Sequence, residues 1–126
     1  MKFKTDDNSI NLAKSLAKNP ITKHGVLHTL SHYPNKFVRA LVASHNNTHQ
    51  DTLHKLSDHT DSFNTWHVRC GVADHNNTRQ DTLHKLSDDP DEDVRRSVAG
   101  NNNTHQDTLH KLSSDPDLSV RYEVAS

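Results

Sequence analysis

Residues 102–113 read NNTHQDTLHKLS, residues 76–87 read NNTRQDTLHKLS, and residues 46–57 read NNTHQDTLHKLS again. Three near-copies of one polar dodecamer in 126 residues point to an internal period, and a fixed period decides an architecture before any single element does. The step Leu-x-x-Leu-Ser measures it. It recurs at 27–31, 53–57, 83–87 and 109–113, at spacings of 26, 30 and 26 residues. A second step, Val-Arg-x-x-Val-Ala, keeps the same register at 38–43, 68–73, 94–99 and 120–125.

The units are therefore 19–44, 45–74, 75–100 and 101–126, the second lengthened by four residues. A half unit, 5–18, precedes them. In it Leu12, Leu16 and Ala17 stand where Val94, Val98 and Ala99 stand, and Asp7 stands where Asp89 stands. Together they predict a single repeat domain over 1–126. The apolar share of 30% is low for a compact globule, and net charge near −1 argues against disorder. A thin array, in which each layer buries one face on the next, needs less apolar material. The expected fold class is all-α: an α-solenoid of short two-helix repeats.

Each unit carries local signals for two helices. Thr48 with Asp51, Thr78 with Asp81 and Thr104 with Asp107 read as capping boxes opening the first helix. Leu53 and Leu56, three apart, then share a face. In DDPDEDVRRSVAG, Asp89 reads as the cap of the second helix and Pro90 as its first residue. Val94 and Val98 face inward, and Gly100 stands where a helix ends in a left-handed residue. With so few residues, the second element is expected to be α-helix or a turn of 3₁₀ helix.

The stretch NNTHQDTLHKLSSDPDLSVRYEVAS, 102–126, resembles the leucine-rich repeat variant family. Asn102, Thr104, Leu109, Leu112, Asp115, Pro116, Asp117, Val120, Arg121, Val124 and Ala125 fall on its pattern, and the resemblance covers residues 7–126. It implies a right-handed superhelix of alternating α and 3₁₀ helices, HEAT-like in style, with no shared catalytic activity. The family's prolines after Asn and Thr are mostly absent here; His49, Arg79 and His105 occupy the helix start. One member of the family carries a cysteine-ligated iron–sulfur cluster. This chain has the single cysteine Cys70, so no cofactor is carried over and no four-thiolate metal site is expected.

Stacking turns positions into columns. Arg39, Arg69, Arg95 and Arg121 follow inward valines. They read either as a track for phosphate or acidic peptide, or as inter-repeat structural pairs with aspartates such as Asp89 and Asp115. The pairing reading is preferred, because the aspartates recur in step. A second column holds His54-Lys55, His84-Lys85 and His110-Lys111, with His28 at its head. Zinc needs several nitrogens about 2 Å from one point, and a ladder of layers brings together two rings at most, so no metal is expected. A basic edge, open to solvent or to an acidic partner, is the reading. The irregular second unit gathers Phe63, Trp66 and His67 beside its insertion; these are the candidate contacts for a protein partner, or else plugs for the gap the insertion makes.

No nucleophile–base pair, glycine-rich phosphate loop or paired-carboxylate site stands out from the repeat. The expectation is a non-catalytic module that binds another protein, whose identity the sequence does not name. The alternative is a nucleic-acid-binding solenoid using the Arg, Lys and His columns, which near-neutral charge disfavours. The start lacks an apolar core of signal-peptide length and no stretch could span a bilayer, so a cytoplasmic location is expected. An uncovered last layer, with Val120 and Val124, predicts pairing through the C-terminal repeat, including a possible homodimer.

Overall fold

The computed structural model describes residues 3–126. Among them are nine α-helices and no strand, so the fold is all-α. They are α1 (Asp7–Lys18), α2 (His24–Leu30), α3 (Lys36–Ser44), α4 (Gln50–Leu56), α5 (Trp66–Asp74), α6 (Gln80–Leu86), α7 (Glu92–Gly100), α8 (Gln106–Leu112) and α9 (Leu118–Ala125). A seven-residue helix alternates with one of eight or nine from α2 onward. The second helix of each pair is thus the longer one and is α-helical; no described residue is in 3₁₀ helix.

The longer helices form the spine. α1 packs on α3, α3 on α5, α5 on α7 and α7 on α9, while each short helix contacts the long helices on either side of it in sequence. At Gly71 the spine helices α3 and α5 approach closely: a Cβ there would stand 3.1 Å from the Ala43 Cβ. The core is the two rulers of the sequence. Val38, Val42, Val68, Val72, Val94 and Val98 from the spine meet Leu27, Leu53, Leu56, Leu83 and Leu86 from the short helices, all essentially without solvent exposure. Each such side chain contributes roughly 1.5–3 kcal/mol when buried.

The helix starts differ from the sequence expectation. Thr48, Thr78 and Thr104 are buried and do not open the short helices, whose N-caps are His49, Arg79 and His105. Their hydroxyls instead donate to the carbonyls of Val42, Val72 and Val98, at 2.5, 2.6 and 2.7 Å. They close the preceding long helix by adding a second donor to carbonyls that also accept the backbone N–H of the C-caps His45, His75 and Asn101. On the other side, Asp91 and Asp117 cap α7 and α9, and Asn35 caps α3. Asp89 lies two residues upstream of the cap and Pro90 just outside the helix. Gly100 is the last residue of α7, and no described residue has positive φ.

The turns Asn46-Asn47, Asn76-Asn77 and Asn102-Asn103 that follow the long helices contain no left-handed residue and are held by a ladder. The residue closing each long helix reaches back to its predecessor. His45 Nε2–H donates to the Asn19 carbonyl at 2.8 Å, His75 Nε2–H to that of His45 at 2.7 Å, and Asn101 Nδ2–H to that of His75 at 3.2 Å. The other polar atom of each accepts the backbone N–H two residues on, from Asn47, Asn77 and Asn103. Histidine and asparagine are interchangeable here because both offer one donor and one acceptor at similar reach.

Candidate functional site

Three arginines of the column, Arg39, Arg69 and Arg95, are bound by carboxylates of the following layer. Arg69 Nε and Nη2 fork onto Asp89 at 2.7 and 3.1 Å, and Arg95 does the same to Asp115 at 2.8 and 3.2 Å. The third nitrogen of each donates to a backbone carbonyl, of Asn64 and of Asp89 respectively. These forks join each helix pair to the next. The Asp115 carboxyl is destabilised as an anion by burial, but the Arg95 fork and the Asp117 N–H outweigh this and hold it below the usual carboxylate range.

Arg39 shows what the insertion is for. Twenty residues on, where Asp89 answers Arg69, stands His59, which is no carboxylate. The lengthened loop supplies replacements. Arg39 Nη1 donates to Asp61 Oδ2 and to Asn64 Oδ1, both at 2.8 Å, and Arg39 Nε donates to the Tyr33 carbonyl at 2.8 Å. Asn64 is only 2% exposed. Its amide also donates to the carbonyls of Lys55 and Asp58, and its own carbonyl accepts from Arg69. Sequence reasoning missed Asn64 and Asp61, although the absent aspartate at position 59 was the signal that could have found them.

Asn64, not an aromatic ring, fills the gap, and the rings stand outside it. Phe63 and Trp66 are each 41% exposed. The Arg39 guanidinium lies 5.4 Å from the Phe63 ring centroid, and Trp66 stacks on His67 with centroids 3.7 Å apart. The second unit thus carries two exposed aromatic contacts, Phe63 with the buried Arg39 and Trp66 with His67, on either side of Asn64 in sequence. Cys70, one turn on from Trp66, is half-buried, and burial pushes its thiol up to about 11, so it stays protonated and unreactive at neutral pH.

The histidine column is used between layers. His28 Nδ1 is hydrogen-bonded to Thr52 Oγ1 at 2.7 Å, His54 to Thr82 at 2.6 Å and His84 to Thr108 at 3.0 Å. His110 is exposed and has no such partner among the described residues. Lys55 and Lys111 are half-buried and Lys85 is exposed; Lys111 Nζ reaches back to Ser87 Oγ at 3.0 Å and to Asp88. No group of three or more His, Cys, Asp or Glu among the described residues is arranged to hold a metal ion.

His28 provides a pH prediction. Desolvation, then the nearby His32 and Lys55, lower its pKa from 6.5. The folded state therefore favours neutral His28. Its stabilising contribution is complete above 6.5 and is lost as pH falls through the lower folded value. An NMR titration should give His28 a midpoint below 6.5, and a midpoint at or above 6.5 would contradict the placement.

Comparison with protein-family models, with curated proteins and with solved structures finds no match for this chain. No described helix is long and apolar enough to cross a membrane.

Proposed function

We propose that this chain is a non-catalytic interaction module, a right-handed α-solenoid of the leucine-rich repeat variant type, that binds another protein through the edge of its second repeat. The observation that carries the reading is the pair of rings at 63 and 66. Phe63 lies in the lengthened loop and Trp66 opens α5, each 41% exposed, on either side of the buried Asn64 that Arg39 holds. Rigid aromatic anchors beside a cation are what binding hot spots are made of. Arg39, Arg69 and Arg95 of the arginine column, by contrast, are spent on Asp61, Asp89 and Asp115, which takes them away from any phosphate track. The proposal includes the cytoplasm as the working compartment, where the single Cys70 remains a thiol.

The test is crosslinking and pull-down with wild type and a Phe63→Ala/Trp66→Ala variant, matched by circular dichroism. A partner held by the wild type should bind the variant at least about tenfold more weakly. Equal capture removes the reading. Titration with duplex and single-stranded DNA at two salt concentrations is the second arm. Binding that weakens steeply with salt would favour a nucleic-acid ligand instead.

A further inference from the structure

On the side of the asparagine turns, the seam between the second and third units is left unsealed. In the seams before and after it, carboxamides reach the main chain of the neighbouring unit. Asn47 Nδ2 donates to the Pro20 and Thr22 carbonyls at 3.2 and 3.1 Å, and Asn103 Nδ2 to the Asn76 carbonyl at 3.0 Å. Gln80 Nε2 donates to the Asn103 carbonyl, and Gln80 Oε1 accepts the His105 N–H at 3.0 Å. At the middle seam the residues in the same register are Asn77 and Gln50. Both are exposed, and neither side-chain amide is hydrogen-bonded among the described residues. Two clefts, of about 610 and 460 Å³, meet there and share Asn46 and Asn77. Gln50 and Lys23 line the first of them, and the rings of His24 and His49 stand in its wall with centroids 5.5 Å apart. Lys23 is exposed and makes no ion pair among the described residues, while Asp51, 3.8 Å from His49, is held by Arg79 at 2.9 Å.

We infer that this cleft binds an extended peptide segment of another protein by its main chain, with an acidic side chain of the peptide meeting Lys23. The molecule itself displays the mode of binding. With the two ends of one carboxamide, Gln80 engages a main-chain carbonyl and a main-chain N–H of the next unit. Gln50 and Asn77 offer the same donor and acceptor, and this chain brings no main chain to meet them. A peptide backbone supplies both groups at every residue. An extended chain advances about 3.3 Å per residue, so about three residues cross one step of about 8–10 Å between packed helices. The charge follows from Lys23, which no carboxylate of this chain neutralises. The cleft follows the C-terminal ends of α3 and α5, whereas Phe63 precedes α5 and Trp66 opens it. The inference therefore does not rest on the aromatic edge proposed above, and the two sites fail separately.

Selection of displayed random peptides of about ten residues on the full chain tests this. The enriched peptides should carry Asp or Glu. In fluorescence polarisation they should bind a Gln50→Ala/Asn77→Ala variant about tenfold or more weakly, and the Phe63→Ala/Trp66→Ala variant as tightly as the wild type. Methylating their backbone nitrogens should weaken binding too, because it removes main-chain donors. In NMR spectra the side-chain amide signals of Gln50 and Asn77 should shift on addition of peptide. Both residues are exposed, so circular dichroism should show the variant folded. A selection that enriches no peptide overturns the inference, as does a glycan array bound in place of peptides. Equal affinity for the wild type and Gln50→Ala/Asn77→Ala overturns it as well. Loss confined to Phe63→Ala/Trp66→Ala would place the peptide on the aromatic edge and remove the cleft. Enriched peptides without an acidic residue would overturn the role given to Lys23.

Discussion

Replacing Arg69 by alanine should destabilise the fold by about 3–5 kcal/mol, a large part of the roughly 5–15 kcal/mol that holds an ordinary domain together. The reason lies in what remains. The Asp89 side chain is 1% exposed and that of Arg69 9%. Without the fork, Asp89 keeps only the Asp91 N–H, at 2.9 Å, and stands as a buried carboxylate with no counter-charge. The Asn64 carbonyl loses its donor in the same step. Adding Asp89→Asn should recover part of the loss, because a neutral amide is cheaper to leave buried and still turns the chain for Asp91. Arg79 provides the contrast. It bonds Asp51 at 2.9 Å, but the two side chains are 33% and 69% exposed, so Arg79→Ala should cost about 1 kcal/mol or less. Urea unfolding followed by circular dichroism measures all three. A loss for Arg69→Ala no larger than for Arg79→Ala would show that the buried fork does not hold the layers.

Leu83→Ala should cost about 2–5 kcal/mol, and Leu109→Ala only about 1–2 kcal/mol, although both leucines sit in the string QDTLHKLS. Leu83 has no exposed surface, and its removal leaves a cavity between α6 and its neighbours. Leu109 is half-covered and loses contacts on one side only. The comparison isolates position in the stack from local sequence, since the helix propensities of the two segments are the same. Equal unfolding midpoints for the two variants would mean that the layers do not support one another.

The period was legible because identical side chains were needed at identical depths. Leu27, Leu53 and Leu83, and Val38, Val68 and Val94, are buried as the two rulers require. Helix ends were less legible. Threonine followed three residues on by aspartate resembles a capping box, yet Thr48, Thr78 and Thr104 turn back to a carbonyl at the end of the preceding long helix. Asp89 resembles a cap, but a buried guanidinium one layer away was the stronger claimant. At the candidate site Phe63, Trp66 and His67 could be named from the irregular unit alone, whereas Asn64 could not: its role consists of partners at Arg39, Lys55, Asp58 and Arg69.

The sequence by itself determined the all-helical class and the inward leucines and valines of the inner helices, Leu27, Leu53 and Leu83 with Val38, Val68 and Val94, because apolar spacing along a helix is a local property. The tertiary structure alone decided which polar groups are bound and which are free. Arg69 and Arg39 share one motif, yet Arg69 takes the carboxylate twenty residues on and Arg39 takes Asp61 and Asn64, because hydrogen bonds and ion pairs fall off within a few ångströms and depend on what the next layer brings within reach.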